Sequence, residues 1–308
     1  MSNCSYVITG DGFCQEGRRE NCLSSGRAKS GDAIAPRISH LSRGGGGGII
    51  SFGSEIMQKL MSRMRSAIQK YNMIEDGDVI AVGVSGGKDS VALLVALCEM
   101  RRFYPKKYEV KAITLDPCFD GVETDYSPIE SLCERLGIEY VIRRTQLGEI
   151  IFEARKESNP CSLCAKMRRG MLHDEAKKAG CNKVALGHHL DDAVVTFYMN
   201  LLRGGNIGCF SPVTYLSRKD IYTIRPMILA YEKEVRHAVR SRDLPVVKSA
   251  CPVDGTTERQ RIKDLVWSLE RQSGYDALYQ KTIGALQRAK IDGWGIDDGE
   301  EEETAEND

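Results

Sequence analysis

No apolar stretch in this sequence comes near the roughly 18 residues that cross a bilayer. The longest, Val91 to Cys98, is bracketed by Asp89 and Glu99. The first thirty residues contain no apolar segment of secretory type, so a cytoplasmic protein without membrane contact is expected. Internal repeats are absent. Net charge is absent as well, 43 basic residues balancing 43 acidic ones. Hydrophobic residues at 42% and charged residues at 28% exclude a collagen, a low-complexity polymer and a wholly disordered chain. A disulfide framework is not expected in a reducing compartment, and eleven cysteines cannot all pair within one chain. Metal binding or sulfur chemistry is therefore the question the cysteines raise.

The charge balance hides an asymmetry. Residues 297–308 hold eight acids and no base, leaving net +8 on residues 1–296. A basic body with an acidic tail suits a polyanionic partner or an ordinary solvated surface. Residues 1–53 are rich in Gly, Ser and Arg, include the run Gly44 to Gly48, and read as a flexible arm; Cys4, Cys14 and Cys22 within them form no CxxC pair. The acidic tail reads as disordered too. Between them, residues 54–296 read as one domain with a helical C-terminal part.

Ile56, Leu60, Met64, Ala67, Ile68 and Tyr71 recur with the period of one helix face. Asp78 to Val84 reads as a buried strand. Strands at Glu109–Leu115, Glu139–Arg143 and Lys183–Gly187 then alternate with helices at Pro128–Leu136, Ala165–Lys178 and Asp191–Leu202. Beyond Tyr231 the pattern is helical, at 232–240, 258–270 and 275–289. This order predicts an α/β protein with an open, mostly parallel sheet and helices on both faces.

The most specific signal is Ser85-Gly86-Gly87-Lys88-Asp89-Ser90, between the first strand and the helix it feeds. Ligands of open parallel sheets sit at the carboxyl ends of the strands. Glycines allow close approach of backbone N–H groups to phosphate oxygens, and the helix N-terminus adds positive potential. Lys88 adds a full charge, and the hydroxyls of Ser85 and Ser90 can donate. A Walker A loop is excluded by Val82 and Asp89, and the glycine spacing does not fit a dinucleotide fingerprint. The turn resembles the PP-loop of the ATP pyrophosphatases, which implies that Ser85, Gly86, Gly87, Lys88, Asp89 and Ser90 bind ATP while its α-phosphorus is attacked. The resemblance also implies contact between adenine and the strand end at Leu115. Asp116 beside it either faces the chemistry or caps the turn before Pro117.

Cys161-Ser-Leu-Cys164 precedes the basic run of 165–178. Such a pair chelates metal, cycles as a dithiol, or has no special role. Two thiolates do not close a four-coordinate site, and Cys251, Cys209 and Cys181 compete as the third ligand; Cys98 and Cys133 fall on apolar helix faces. Gly187-His188-His189-Leu190-Asp191-Asp192 follows a strand and is expected at the same sheet edge as the glycine turn. There Gly187 admits close backbone approach, and Asp191 and Asp192 either act at the site, through Mg²⁺ or the substrate base, or cap a helix.

SGGKDS, CSLCAKMRRG, GHHLDD and a Cys shortly before a Gln-Arg-rich helix start occur in the order seen in the tRNA 2-thiocytidine synthetase family, which this chain resembles over about residues 55–290. The resemblance implies ATP-dependent thiolation of an anticodon-loop cytidine, with Lys88, Asp191 and Asp192 in the catalytic site. It implies a 4Fe-4S cluster on Cys161, Cys164 and Cys251, with zinc on the same thiolates as the rival. It also implies Mg²⁺, tRNA as partner and a sulfur donor such as a cysteine desulfurase persulfide or sulfide, and leaves room for a homodimer. Basic residues at 166, 168 and 169, at 236, 240 and 242, and at 259, 261 and 263 would meet tRNA phosphates. Two positions depart from the family pattern: Lys248 stands where relatives carry a further cysteine, and Leu190 where they carry arginine. The competing readings are thiolation of uridine, an amide-forming ligase, and a non-catalytic Fe–S sensor that binds nucleotide.

Overall fold

A computed structural model of the chain describes residues 55–151, 160–248, 251, 258–272, 274 and 277–295, with backbone alone for 160–162. The N-terminal arm with its three cysteines and the acidic tail lie outside the described residues. Six strands form one sheet: β1 (Asp78–Gly83), β2 (Tyr108–Asp116), β3 (Tyr140–Arg144), β4 (Lys183–Ala185), β5 (Val213–Leu216) and β6 (Ile221–Ile224). Their spatial order is β3-β2-β1-β4-β6-β5. All neighbouring pairs are parallel except β5 with β6, an antiparallel hairpin at one edge. The expected open, mostly parallel sheet is what the structure contains.

Alternation along β1 shows why the sheet is covered on both faces. Ile80 and Val82 enter the larger apolar core, and Ala81 enters the second. The larger core is shared with α1 (Glu55–Lys70), α2 (Lys88–Met100), α3 (Ser127–Leu136), α6 (Leu190–Gly204) and α7 (Glu232–Ser241). The smaller core lies under α5 (Pro160–Lys178), whose Leu172 and Ala176 pack there. The short helix α4 (Leu147–Glu149) follows β3. Helices α8 (Glu258–Glu270) and α9 (Leu278–Arg288) complete the C-terminal part, and fully buried Trp294 closes it by donating from Nε1 to the Phe210 carbonyl at 3.0 Å.

The central register is locked at the amino edge. Lys183 on β4 is 6% exposed; its Nζ meets Asp78 Oδ2 at 2.7 Å and donates to the Met73 carbonyl at 3.0 Å. Asn182 bridges the same strands, donating to Asp78 Oδ1 and accepting from the Val79 amide. The lysine is tolerated there because both its charge and its N–H groups are satisfied.

Three expectations need correction. The buried stripe of α1 is centred on Met57, Leu60, Met61 and Met64, so Ile56 is 38% exposed. The helix expected from Ala165 begins at Pro160, taking the CxxC pair into its first two turns; proline is at home at the start because its missing N–H has no intrahelical partner. The β5–β6 hairpin was not expected at all. Its strands have four residues each, and the Ser217–Asp220 connection lacks glycine. Their outward tyrosines, Tyr215 and Tyr222, stack 4.7 Å apart on the exposed face.

Candidate active site

β1 delivers the chain to the carboxyl edge, where Ser85 to Gly87 turn directly into α2. Gly86 has φ +84°, a conformation that costs little only without a β-carbon. The turn is braced from within. Ser90 Oγ donates to the Gly87 carbonyl at 2.9 Å and accepts from the Ser85 amide at 3.2 Å, while Ser85 Oγ accepts from the Gly87 amide at 3.3 Å. The hydroxyls expected to face phosphate therefore also hold the turn's shape. Gly87 sits at the N-cap of α2 and offers no side-chain acceptor to the opening amides. An uncapped helix start beneath a glycine turn is a cradle for phosphate oxygens.

Lys88 Nζ lies 2.9 Å from Asp89 Oδ2 and 3.2 Å from Glu232 Oε1. Burial works to lower the Lys88 pKa, but the Asp89 and Glu232 charges and hydrogen bonds outweigh it, and the net direction is upward. Asp89 Oδ1 is buried with no hydrogen-bond partner, and His189 Nε2 is 3.8 Å from it. The cradle thus contains a fixed cation and an acceptor oxygen that awaits a donor or a metal ion.

The loop after β4 is pressed against this cradle. A β-carbon on Gly187 would lie 3.1 Å from the Asp89 carbonyl carbon and the Ser90 nitrogen, so glycine is needed there for loop-to-loop contact. His189 caps α6: its Nδ1 accepts from the Asp192 amide, and Asp192 Oδ2 accepts from the His189 amide at 3.0 Å. Asp192 Oδ1 accepts from Arg259 Nη2 at 2.5 Å. Burial would raise its pKa, but His189 and Arg259 overcome that and hold it well below the usual carboxylate range. Asp191 Oδ2 accepts from the Glu232 amide at 2.8 Å, capping α7, and its pKa is raised chiefly by burial. Both aspartates lie at the site, and both do helix-capping work within it.

Glu232 is the residue of this site that the sequence did not single out. It is 8% exposed and meets Lys88, Lys263 at 2.7 Å and Arg236 at 3.1 Å. Burial opposes its ionisation, but the hydrogen bond from Lys263 and the charge of Lys88 bring its pKa down to about 2. No motif marks it; only folding brings α2, α7 and α8 to one carboxylate. The basic groups read as candidate RNA contacts are accordingly divided. Arg236 and Lys263 serve Glu232, Arg259 serves Asp192, and Arg242 pairs with Glu99.

At the end of β2, the Leu115 side chain is 7% exposed in the smaller core, so its backbone is what a ligand can meet. Asp116 is a turn cap, accepting from the Cys118 amide and from the amide and hydroxyl of Thr124. A cavity of about 670 Å³ opens beside it, lined by Cys118, Arg143, Thr145, Leu147, Met167 and Met171.

Cys164, in the second turn of α5, is 9% exposed among Leu147, Ile151 and Met167. Cys161 stands one turn earlier on the same helix, and its thiol lies outside the described residues. Cys251 is half-buried and follows a strap that crosses the glycine turn. The Val247 amide donates to the Gly86 carbonyl at 2.9 Å, and a β-carbon on Gly86 would be 2.8 Å from that of Val247. No three-donor metal group forms among the described residues, which include only two of these three thiols. The rival third ligands Cys209 and Cys181 are core residues, as are Cys98 and Cys133. Burial pushes the thiols of Cys98, Cys133 and Cys209 up to about 11, 12 and 12, and that of Cys181 upward. Cys181 also precedes β4, on the far edge of the sheet.

Fold and cradle together define an α/β protein built to hold nucleotide phosphates at the carboxyl edge of a parallel sheet. The PP-loop domain family matches residues 57–269. The tRNA-cytidine(32) 2-sulfurtransferase of Geobacter sulfurreducens is 39% identical over 219 residues, covering 70% of this chain and 84% of the relative. The protein of the same name from Syntrophotalea carbinolica is 38% identical over 234 residues, covering 75% and 89%. The chain belongs to the tRNA-cytidine(32) 2-sulfurtransferase family of PP-loop proteins. Among solved structures, the U34-tRNA thiolase NcsA of Methanococcus maripaludis, determined with its 4Fe-4S cluster, shares the fold. Its TM-score is 0.61 at 24% identity, over 76% of this chain and 78% of that one.

Proposed function

We propose that this protein uses ATP to replace O2 of a tRNA anticodon-loop cytidine with sulfur, giving 2-thiocytidine. Cytosine O2 attacks the α-phosphorus and pyrophosphate leaves; a sulfur nucleophile then adds at C2, and the C2–O bond breaks with AMP taking the oxygen and the electron pair. The amides of Gly86, Gly87 and the first turn of α2 hold the pyrophosphate, and Lys88 offsets its growing charge. The Leu115 backbone meets adenine. Gly187 keeps the β4 loop against the cradle, and Asp191 and Asp192 fix the ends of α7 and α6 around it. The orphaned Asp89 Oδ1 would hold Mg²⁺, which would offset phosphate charge.

The donor set suits a soft metal site, because the patch around Cys164 is apolar and thiolate ligands favour iron–sulfur chemistry. Cys161, Cys164 and Cys251 would hold a 4Fe-4S cluster, which would supply an open iron position for sulfur. In this reading the donor is sulfide, or a cysteine desulfurase persulfide whose S–S bond is cleaved by a two-electron thiol reductant, and the compartment is cytoplasmic.

One observation carries the reading: the Val247–Gly86 hydrogen bond ties the chain leading to Cys251 onto the phosphate turn. An amide-forming ligase would have no need of three metal-binding cysteines. The test is mass spectrometry of tRNA nucleosides from cells with and without the protein. 2-Thiocytidine should vanish on deletion and return with the gene; its persistence, or loss of a thiouridine instead, overturns the proposal.

A further inference from the structure

Arg225 follows β6 at the carboxyl edge and is 4% exposed. Its Nη1 donates to the Ser211 carbonyl at 2.5 Å and to Thr214 Oγ1 at 3.4 Å, and its guanidinium lies 5.0 Å from the Phe210 ring centroid. Nε is buried without a partner, and none of the ion pairs among the described residues includes Arg225. A buried cation without a counter-charge is costly, so a fold that keeps one has left a place for an anion.

Two further groups converge on it. His188, from the loop after β4, packs on Phe210 at 4.9 Å between centroids, and its Nδ1 is likewise buried without a partner. Burial, then the charge of Arg225, pushes its pKa down to about 3, so the imidazole is neutral at physiological pH. Arg169 comes from α5. His173, one turn further along that helix, contacts Thr223 of β6 at 2.9 Å, which sets Arg169 over the carboxyl end of β6. After burial, the Arg169 charge is the next cause lowering the Arg225 pKa. At this spot Arg225 has no acid paired with it among the described residues, and two buried nitrogens, Arg225 Nε and His188 Nδ1, lack partners beside the Phe210 ring they share. His188 adjoins Gly187, whose backbone rests on the start of α2, so this spot lies across a single loop from the phosphate turn.

We infer that Arg169, Arg225 and His188 form a second anion site, separate from the glycine turn, that receives a phosphate group. Guanidinium forks match phosphate oxygens bidentately, and phosphates are the anions that the proposed reaction brings to this edge. The inference rests on that proposed function. The phosphate comes either from the nucleotide or from the RNA backbone beside the target base.

The test measures two affinities in wild type, Arg169→Gln and Arg225→Lys: for ADP by calorimetry, and for a synthetic anticodon stem-loop at two salt concentrations. A site for the nucleotide predicts about tenfold weaker ADP binding with stem-loop affinity unchanged. A site for the RNA backbone predicts the reverse, with the slope of log affinity against log salt reduced by about 1. Binding of both ligands within twofold of wild type, in variants whose melting temperatures are unchanged, overturns the inference. Should Arg225→Lys fail to fold, the half-buried Arg169→Gln decides alone. If wild type itself does not bind the stem-loop, the tRNA reading fails instead, and the ADP arm still decides whether a phosphate occupies the site.

Discussion

Replacing Glu232 with glutamine should destabilise the protein in a way that acid erases. The variant keeps the shape of the side chain and removes the charge that three cations share. A carboxyl held at about 2 instead of its ordinary 4.5 corresponds to about 3 kcal/mol at neutral pH. Lys88 and Lys263 are each about one-third exposed and recover some hydration, so a loss of about 2 kcal/mol is the better expectation. For a domain of this size that is a fall of about 4–8 °C in melting temperature. The sign with pH follows from the depressed pKa: the stabilisation is complete above the unfolded value near 4.5 and disappears as pH falls toward 2. Urea titrations followed by circular dichroism at pH 7 and pH 3.5 should show a gap between wild type and variant that narrows in acid. Equal stability at pH 7, or a gap that acid leaves intact, would refute the reasoning.

Lys88→Ala should abolish ATP-driven adenylation, and wild type should release AMP and pyrophosphate; ADP and phosphate as products would contradict the cradle's assignment. Anaerobically purified protein should contain iron and acid-labile sulfide, lost in Cys164→Ala and Cys251→Ala but kept in Cys133→Ala, whereas stoichiometric zinc without sulfide would exclude the cluster. Gly187→Ala places a methyl about 3.1 Å from the backbone of α2's first turn. A loss of about 1–3 kcal/mol and weakened ADP binding are expected, and calorimetry showing wild-type affinity would mean the loop moves aside without strain.

The glycine turn, the strand before it and the helix after it were legible because local chemistry alone specifies them: a β-branched run, two glycines, then an apolar helix. The CxxC pair was visible, but its helical setting was not, since Pro160 reads equally well as a loop residue or as the first residue of a helix. The hairpin was missed because its strands are too short for alternation to register. Glu232 and Arg225 were beyond reach for a different reason. Each is one charged residue among 86, and its significance arises only from burial and from partners far along the chain. Asp191 and Asp192 show the intermediate case: the sequence offered capping and site chemistry as rival readings, yet the caps they form are built into the site itself.

The sheet order has a consequence for how the protein is made. β1, the middle of the sheet, is synthesised early, and β2 pairs with it about thirty residues later, but its other neighbour, β4, begins only at Lys183. Pairings so distant in sequence form slowly. On the ribosome, therefore, the first half of the domain waits with one edge of β1 unpaired, a state prone to association with other chains. Gly187, the residue that closes against the phosphate turn, emerges just after β4, and Cys251 more than sixty residues later still. Synthesis from one end thus delivers the glycine turn and the loop of Gly187 before the last cysteine, whereas Arg259 and Lys263, which hold Asp192 and Glu232, emerge only after it.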